Sequence, residues 1–487
     1  MGTREYLGSH IPAFGRGKKP VKIFGETSWK SYDDMDTNVV AFGRGLRALG
    51  AEPLPLDKSQ ACTENFEQLS GSHCCVIYED TCAEWMLAAL GCMTNSLPIA
   101  TSYSTLGLEA LAEVINDCRA HVVVCNYKNV EYLTTLLPVC PSLKVIVYTR
   151  HHVDPAAPSL NETTGSGQGA NQQELQLSVL SFSDVIAKGT AANLLELPLK
   201  FDPTPRHLAV IMYTSGTTGK PKGVMLCHTA LMAAIAAFCD YFRSLPNMAF
   251  PNERYLGYLP LAHILEFCFE MGVLVLGGSI GYADPATLTG KGAIRKLPDG
   301  QPNHKDEGPF PAGALQEFLP TIMSGVPKIW DMLKKSTEAE IGTLSIASSA
   351  MIESQIVVKW THLFDGFIIY VMFDFTGKAP APLRALFSAA FAGRHVALLQ
   401  KRPAPLCSMV LAKTRRVLGG QLKLGISGGG PLNTNVQQFV RVAFQVAVVQ
   451  GYGLTETSAC GTVQDPTKIE VREAEITYFI SALFQIA

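Results

Sequence analysis

The chain has no CxxC pair, no uninterrupted run of about 20 apolar residues and no excess of either charge, and each absence narrows what it can be. Its 13 cysteines are scattered over 487 residues, far more chain than needs disulfide staples, so they read as reduced core residues of a cytosolic protein. The nearest approach to a membrane span, Leu363 to Phe375, is short and carries Asp365 and Asp374. The start MGTREYLGSH lacks the apolar core of a signal peptide, so the sequon Asn161-Glu162-Thr163 reads as chance. Lys plus Arg at 40 against Asp plus Glu at 42 leaves a net charge of -2, which gives no electrostatic ground for a nucleic-acid partner. No histidine follows His395, which removes a base for any nucleophile in the last fifth of the chain.

Hydrophobic residues make up 47% of the chain, enough for a large core, and the length predicts roughly three domains or subdomains at about 150 residues each. Cys75-Val76-Ile77-Tyr78, His121 to Cys125 and Leu143 to Tyr148 are apolar runs of strand length. Helix-like stretches, Glu84 to Gly91 and Gly107 to Asp117, lie between them, which is the pattern of a parallel α/β sheet. From His152 to Gln173 the composition turns to Pro, Gly, Ser, Thr, Asn and Gln, predicting a surface loop. A second polar break, Leu297 to Pro311, precedes a helix predicted to start near Pro327.

The most informative segment is the apolar strand His207 to Tyr213 running into Thr214-Ser215-Gly216-Thr217-Thr218-Gly219-Lys220-Pro221-Lys222-Gly223. Two glycines among four hydroxyl residues, with two lysines, supply backbone N–H groups, side-chain donors and positive charge for phosphate oxygens. The expected geometry is strand, loop, helix. The loop is not the GxxxxGK[ST] type, because Pro221 stands five positions after Gly216 and Lys222 is followed by Gly223. Downstream, a strand ending at Ile426 meets Ser427-Gly428-Gly429-Gly430-Pro431-Leu432, where an adenine ring can lie against bare backbone. Then comes Gln450-Gly451-Tyr452-Gly453-Leu454-Thr455-Glu456-Thr457. There Tyr452 can stack on the adenine, Thr455 can meet the α-phosphate, and Glu456 is a hard oxygen ligand suited to Mg²⁺.

These three segments, in this order, resemble the motifs of the acyl-adenylate-forming superfamily of acyl-CoA synthetases, luciferases and adenylation domains. Within it, Gly257-Tyr-Leu-Pro-Leu-Ala-His263-Ile-Leu-Glu266, Asp80 to Met86 and Val326 to Asp331 resemble the long-chain acyl-CoA synthetases. The resemblance covers most of residues 1 to 463. It implies an α/β fold, a large N-terminal adenylate-forming domain built of layered, mostly parallel sheets with flanking helices. It implies ATP-dependent activation of a long-chain fatty acid to acyl-AMP and then to acyl-CoA, with ATP, Mg²⁺ and CoA as the small-molecule partners. Lys222, Thr455, Glu456 and His263 become the catalytic candidates, His263 as a wall near the acyl carboxylate. Thr214 to Lys220 bind phosphate, Gly428, Gly429, Gly430 and Tyr452 hold adenine, and Glu456 holds the metal.

The chain also departs from that pattern. Residues 54–73 and 343–376 stand as inserts, and the tail 464–487 matches nothing in the family, whose ribose-binding aspartate, hinge and mobile C-terminal lid are not found after residue 463. The competing expectation is therefore a nucleotide- and acyl-binding relative without turnover. In the second insert Val357, Trp360, Phe364, Phe367, Ile368 and Tyr370 are candidates for an interfacial membrane patch. The location expected is cytoplasmic, with a peripheral position on the endoplasmic reticulum or another organelle membrane as the resemblance implies. Gly425-Ile426-Ser427-Gly428-Gly429 fits the G-x-S-x-G elbow of α/β-hydrolases, but with no histidine after Ser427 that reading fails.

Overall fold

An apolar run of four or five residues can stay buried along its whole length only if both faces of its sheet are covered, which is the situation of a parallel sheet between helix layers. In the computed structural model the runs at 75–78, 122–126 and 145–149 are adjacent parallel strands with every residue buried. The structure describes residues 1–10, 20–54, 74–103, 107–160, 165–166, 176–191, 202–215, 221–347, 355–363, 366–374, 383–466 and 478–479. They form two compact units: unit 1 holds Met1–Ala314 and Gly453–Gly461, and unit 2 holds Leu315–Tyr452 and Thr462–Phe479.

Unit 1 contains β1 (Gly2–His10), β2 (Val21–Trp29), β3 (Cys75–Tyr78), β4 (Ile99–Thr101), β5 (Val122–Asn126), β6 (Val145–Thr149) and β7 (Gly165–Ser166). It continues with β8 (Gln176–Ser181), β9 (Leu208–Ser215), β10 (Pro221–Cys227), β11 (Arg254–Gly257), β12 (Ser279–Tyr282), β13 (Ala293–Lys296) and β14 (Pro302–Asn303). One sheet runs β10-β9-β4-β3-β5-β6-β8-β7, parallel throughout its interior and antiparallel at its two ends. The other strands of the unit run β14-β13-β2-β1-β12-β11. The unit's helices are α1 (Tyr32–Ala48), α2 (Ala83–Met93), α3 (Leu108–Asp117), α4 (Val130–Thr134), α5 (Phe182–Ala191), α6 (His228–Ser244) and α7 (Ile264–Val275).

In α1 a capping box starts the helix: the Asp34 amide donates to Ser31 Oγ at 3.1 Å, and the Ser31 amide donates to Asp34 Oδ2 at 2.8 Å. α1 then crosses α5 closely enough that a Cβ on Gly189 would run into the carbonyl oxygen of Ala41, and one on Gly45 into that of Val185. Because the obstacle is backbone, Gly189→Ala is expected to cost about 1–3 kcal/mol as an overpacked contact, read as a lowered denaturation midpoint. An unchanged midpoint would mean that the two helices are not in contact there.

Unit 2, which begins at Leu315 within α8 (Ala314–Phe318), contains β15 (Ile322–Gly325), α9 (Pro327–Ala347), β16 (Gln355–Leu363), β17 (Gly366–Asp374) and α10 (Leu383–Leu399). It is completed by α11 (Pro405–Val410), α12 (Ala412–Arg416), β18 (Leu424–Ser427), α13 (Thr434–Phe439), β19 (Ala447–Tyr452), β20 (Thr462–Val463) and β21 (Tyr478–Phe479). Its sheet runs β15-β18-β19-β20-β21, with the first three strands parallel. Among the described residues no helix is long and apolar enough to cross a membrane.

The mostly parallel α/β architecture and the helix start at Pro327 agree with the sequence. Two local expectations are corrected. The phosphate-loop candidate is followed by a strand, not a helix: Pro221 to Cys227 pairs antiparallel with β9, and α6 begins only at His228. Pairing with β9 takes up the β10 amides that face it, and Gly223 packs against Ile211 and Tyr213 where a side chain would clash. Within the expected loop 152–173, Gly165 and Ser166 pair with β8 as a short edge strand. Residues 161–164, 167–175 and 55–73 lie outside the described residues. Within the expected insert 343–376, β16 and β17 pair as an antiparallel ribbon, in which the side chains of the aromatic patch, and Phe364 entirely, lie outside the described residues.

Candidate nucleotide and acyl site

The candidate residues divide between the two units. In unit 1 the β9–β10 hairpin sets Thr214 opposite Lys222 and Ser215 opposite Pro221, so both ends of the hydroxyl-rich loop are fixed by ladder bonds. Thr214 Oγ1 donates to the Lys222 carbonyl at 3.4 Å, and the Lys222 side chain is exposed. Gly216, Thr217, Thr218, Gly219 and Lys220 lie outside the described residues.

Beside β10 lies the turn that carries Thr455 and Glu456. Leu454 N donates to Thr457 Oγ1 at 3.0 Å and Ala459 N donates to the Leu454 carbonyl at 2.9 Å, closing a short 3₁₀ turn. The turn leaves through Ser458 and Ala459, both left-handed at φ 51° and 64°, and the Cys460 thiol donates to the Ala234 carbonyl of α6 at 3.6 Å. A Cβ on Gly453 would run into the Ala459 carbonyl, so the closed turn requires glycine there. Glu456 is exposed and Thr455 half-buried, which leaves a carboxylate and a hydroxyl open beside the strand of Lys222.

His263 stands at the N-cap of α7. Its Nδ1 accepts from Leu265 N at 3.2 Å, which assigns the proton to Nε2, and crowding by protein atoms lowers the ring's pKa below the ordinary histidine value. The loop before it is pinned from the parallel sheet. Thr81 Oγ1 donates to the Leu259 carbonyl at 2.5 Å and accepts from Leu261 N at 2.9 Å, and Thr101 Oγ1 donates to the Ala262 carbonyl at 3.2 Å. Behind it, Glu266 and Glu270 are buried one turn apart on α7, accepting from the hydroxyls of Tyr255 at 2.6 Å and Tyr282 at 2.7 Å.

In unit 2, β18 ends at Ser427 and the glycine turn follows. Gly428 N continues the ladder to the Gly325 carbonyl at 3.2 Å, and Gly429 has φ +75°, a conformation that favours glycine. Leu432 N donates to Gln450 Oε1 at 2.8 Å. Gln450 Nε2 in turn donates to Gln437 Oε1 at 3.1 Å, and both Gln437 Nε2 and the Gln450 amide donate to Gln464 Oε1, at 2.9 and 3.0 Å. This three-glutamine network ties the exit of the glycine turn to β19, and sequence reasoning missed it. Tyr452, at the end of β19, is 62% exposed, so its ring face is available for stacking. Ser427 is fully buried with its Oγ unpartnered, which agrees with setting aside the hydrolase elbow.

Unit 1 also holds a partly open pocket of about 230 Å³ at the C-terminal ends of β3, β6, β11 and β12, lined by Glu79, Thr81, Tyr103, His151, His152 and Tyr258 among others. Glu79 is buried and receives bonds from Asn126 Nδ2 at 3.2 Å, Asp80 N at 2.7 Å and Thr149 Oγ1. Burial outweighs these bonds and pushes its pKa up to about 8. Burial, His151 and Lys22 hold His152 neutral, with Lys22 Nζ 2.9 Å from its Nδ1. An unfolded glutamate ionises near 4.5, so between about 4.5 and 8 the native state holds the extra proton and stability falls as pH rises. From pH 6 to 8 the loss is expected to be about 2–3 kcal/mol. Glu79→Gln keeps a neutral side chain of the same shape and is expected to flatten that slope in denaturant titrations; parallel slopes in both proteins would refute the assignment.

A profile of the AMP-binding enzyme family matches residues 68–477, and the chain belongs to that family of adenylate-forming enzymes. Its curated relatives include long chain acyl-CoA synthetase 8 of Arabidopsis thaliana, 30% identical over 467 residues that make up 96% of this chain and 54% of the relative. Long-chain-fatty-acid–CoA ligase 1 of Schizosaccharomyces pombe is 29% identical over 481 residues, covering 96% of this chain and 58% of the relative. The chain thus spans about half the length of the curated relatives it matches. Among solved structures, the A domain of carboxylic acid reductase from Segniliparus rugosus in complex with AMP and a carboxylic acid shares the fold, with a TM-score of 0.56 and 15% identity over 93% of this chain and 57% of that one. The anthranilate CoA ligase AuaEII with anthranoyl-AMP aligns at a TM-score of 0.53 and 13% identity, over 92% of this chain and 59% of that one.

Proposed function

We propose that this polypeptide belongs to a long-chain fatty acid:CoA ligase, which couples a fatty-acid carboxylate to the α-phosphate of ATP with release of pyrophosphate and then passes the acyl group to the CoA thiol with release of AMP. The observation that carries the reading is the placement of Lys222 on β10 beside the turn of Thr455 and Glu456, within a family of adenylate-forming enzymes. No covalent protein nucleophile is required: the demand is alignment of the carboxylate with phosphorus and neutralisation of charge on the phosphate oxygens. Lys222 supplies a mobile positive charge, Thr455 a hydroxyl donor, and His263 a neutral ring whose Nε2–H can face a carboxylate oxygen. Within unit 2 taken by itself, Gly428 to Gly430 and Tyr452 are the candidate contacts for an adenine ring.

Among the described residues no group of three His, Cys, Asp or Glu side chains could hold a metal by itself. The exposed Glu456 fits an ion such as Mg²⁺, which takes one or two carboxylates and completes its shell with phosphate oxygens and water. When bound it would offset charge on the phosphates. We place the protein in the cytoplasm, at a membrane surface where its fatty acid partitions.

The reading is tested by incubating the chain with MgATP, CoA and C8 to C20 fatty acids and detecting products by mass spectrometry. Acyl-AMP and acyl-CoA are expected, and both are expected to fall at least 100-fold in Lys222→Ala/Glu456→Ala, a loss of about 2.7 kcal/mol or more in transition-state stabilisation. ATP binding without either product would contradict it and favour the binding relative without turnover.

A further inference from the structure

Between Asp374 and Glu456 the sequence has ten lysines and arginines and no aspartate or glutamate, in a chain whose charges as a whole nearly cancel. Part of this segment builds α10, α11 and α12 of unit 2. α10 and α11 pack together through Ala390, Cys407 and Leu411, with Phe387, Phe391 and Leu398 against them, and Arg394 Nη1 donates to Ser408 Oγ at 2.5 Å. Their inward faces are thereby occupied. Outward they present Val396, Leu399, Leu406 and Met409, which are 50, 52, 45 and 66% exposed. Val396 and Leu399 share a face of α10 at i and i+3, as do Leu406 and Met409 on α11. Lys401 and Arg402, in the link from α10 to α11, and Lys413 and Arg416, on α12 directly after α11, are exposed, and none makes an ion pair among the described residues.

The acids of unit 2 whose side chains are described lie elsewhere in the chain. Glu317 is on α8, Asp465 follows β20, and Asp331 and Glu338 on α9 are paired with Lys335 at 2.6 Å and Lys334 at 2.8 Å. We propose that the α10–α11 face docks on an anionic lipid bilayer, with the four aliphatic side chains entering the interfacial zone and the lysines and arginines meeting lipid phosphates. The combination selects this occupant. A nucleic acid would use the cations but gain little from four aliphatic side chains, and a second copy seated on the same face would bring cations against cations. The proposal does not depend on the ligase reading, and it lies on a different element from the ribbon at 355–374.

Sedimentation of the 487-residue chain with vesicles tests it. Binding is expected to vesicles of phosphatidylcholine with about 30 mol% phosphatidylserine, at least tenfold stronger than to phosphatidylcholine alone, and to weaken as salt rises from about 50 to about 300 mM. Reversing four exposed charges (K401E, R402E, K413E, R416E) is expected to lower the partition coefficient at least tenfold. Replacing Val396, Leu399 and Met409 by serine is expected to lower it at unchanged charge, which attraction by charge alone would not do. Equal binding to both vesicle types, binding unchanged in both variants, or binding of duplex RNA with no vesicle affinity would overturn the proposal. So would a dimer that the serine variant breaks, without vesicle binding. Should one variant fold poorly by circular dichroism, the other still decides whether this face carries the binding.

Discussion

Gly453→Ala is expected to reduce adenylation at least 100-fold while lowering the melting temperature by only a few degrees, because the damage is local to one turn. The new methyl group would meet the carbonyl oxygen of Ala459, a backbone atom that no rotamer change can move. The turn can admit it only by breaking the bond from Ala459 N to the Leu454 carbonyl, or by shifting Ser458 and Ala459 out of their left-handed conformations. Either escape displaces Thr455 and Glu456 relative to β10 and Lys222, and misplacement by about 1 Å is enough to cost two orders of magnitude in an aligned transfer reaction. Turnover measured beside a thermal melt separates the effects. Near-normal turnover would show that the position of this turn does not matter for the chemistry.

Trp330→Ala is expected to be the most destabilising single change in unit 2, at about 3–5 kcal/mol. Trp330 is fully buried on α9, and its ring lies against Gly425 of β18 so closely that a Cβ there would stand 2.6 Å from the indole. Removing the ring opens a cavity under the strand that leads into Gly428, so adenine-nucleotide affinity is expected to fall with stability. Gly425→Ala alone is expected to cost about 1–3 kcal/mol by overpacking. Combined with Trp330→Ala, the added methyl group enters the vacated space, so the double variant should be less destabilised than the sum by more than about 0.5 kcal/mol. Additive costs in chemical denaturation would mean that ring and strand are not in contact.

Strands β3, β5 and β6 were legible in the sequence because burial on both faces leaves an unbroken apolar run, and α9 because proline at a first helical position is a strong start signal. The hairpin at Pro221 to Cys227 was not. A short run of Gly, Val, Met and Leu after a phosphate-binding loop suits helix or strand equally, and pairing with β9 decided it. The site motifs could be read as residue types, but what fixes them is non-local. Gln437, Gln450 and Gln464 meet from separate elements, and no spacing rule announces three amides that bond to one another. Glu79 looks in sequence like an ordinary acid at the end of a strand. Its proton affinity comes from burial among Asn126 of β5, Thr149 of β6 and the loop after β3, which appears only once the sheet order is known.

Fatty-acid-dependent exchange of labelled pyrophosphate into ATP tests most directly whether these motifs form a working adenylation site, since it reports the first half-reaction without CoA. Exchange by the 487-residue chain that requires both a long-chain fatty acid and Lys222 is the predicted result. Nucleotide binding with no exchange at any chain length, or exchange that persists undiminished in Lys222→Ala, would contradict it.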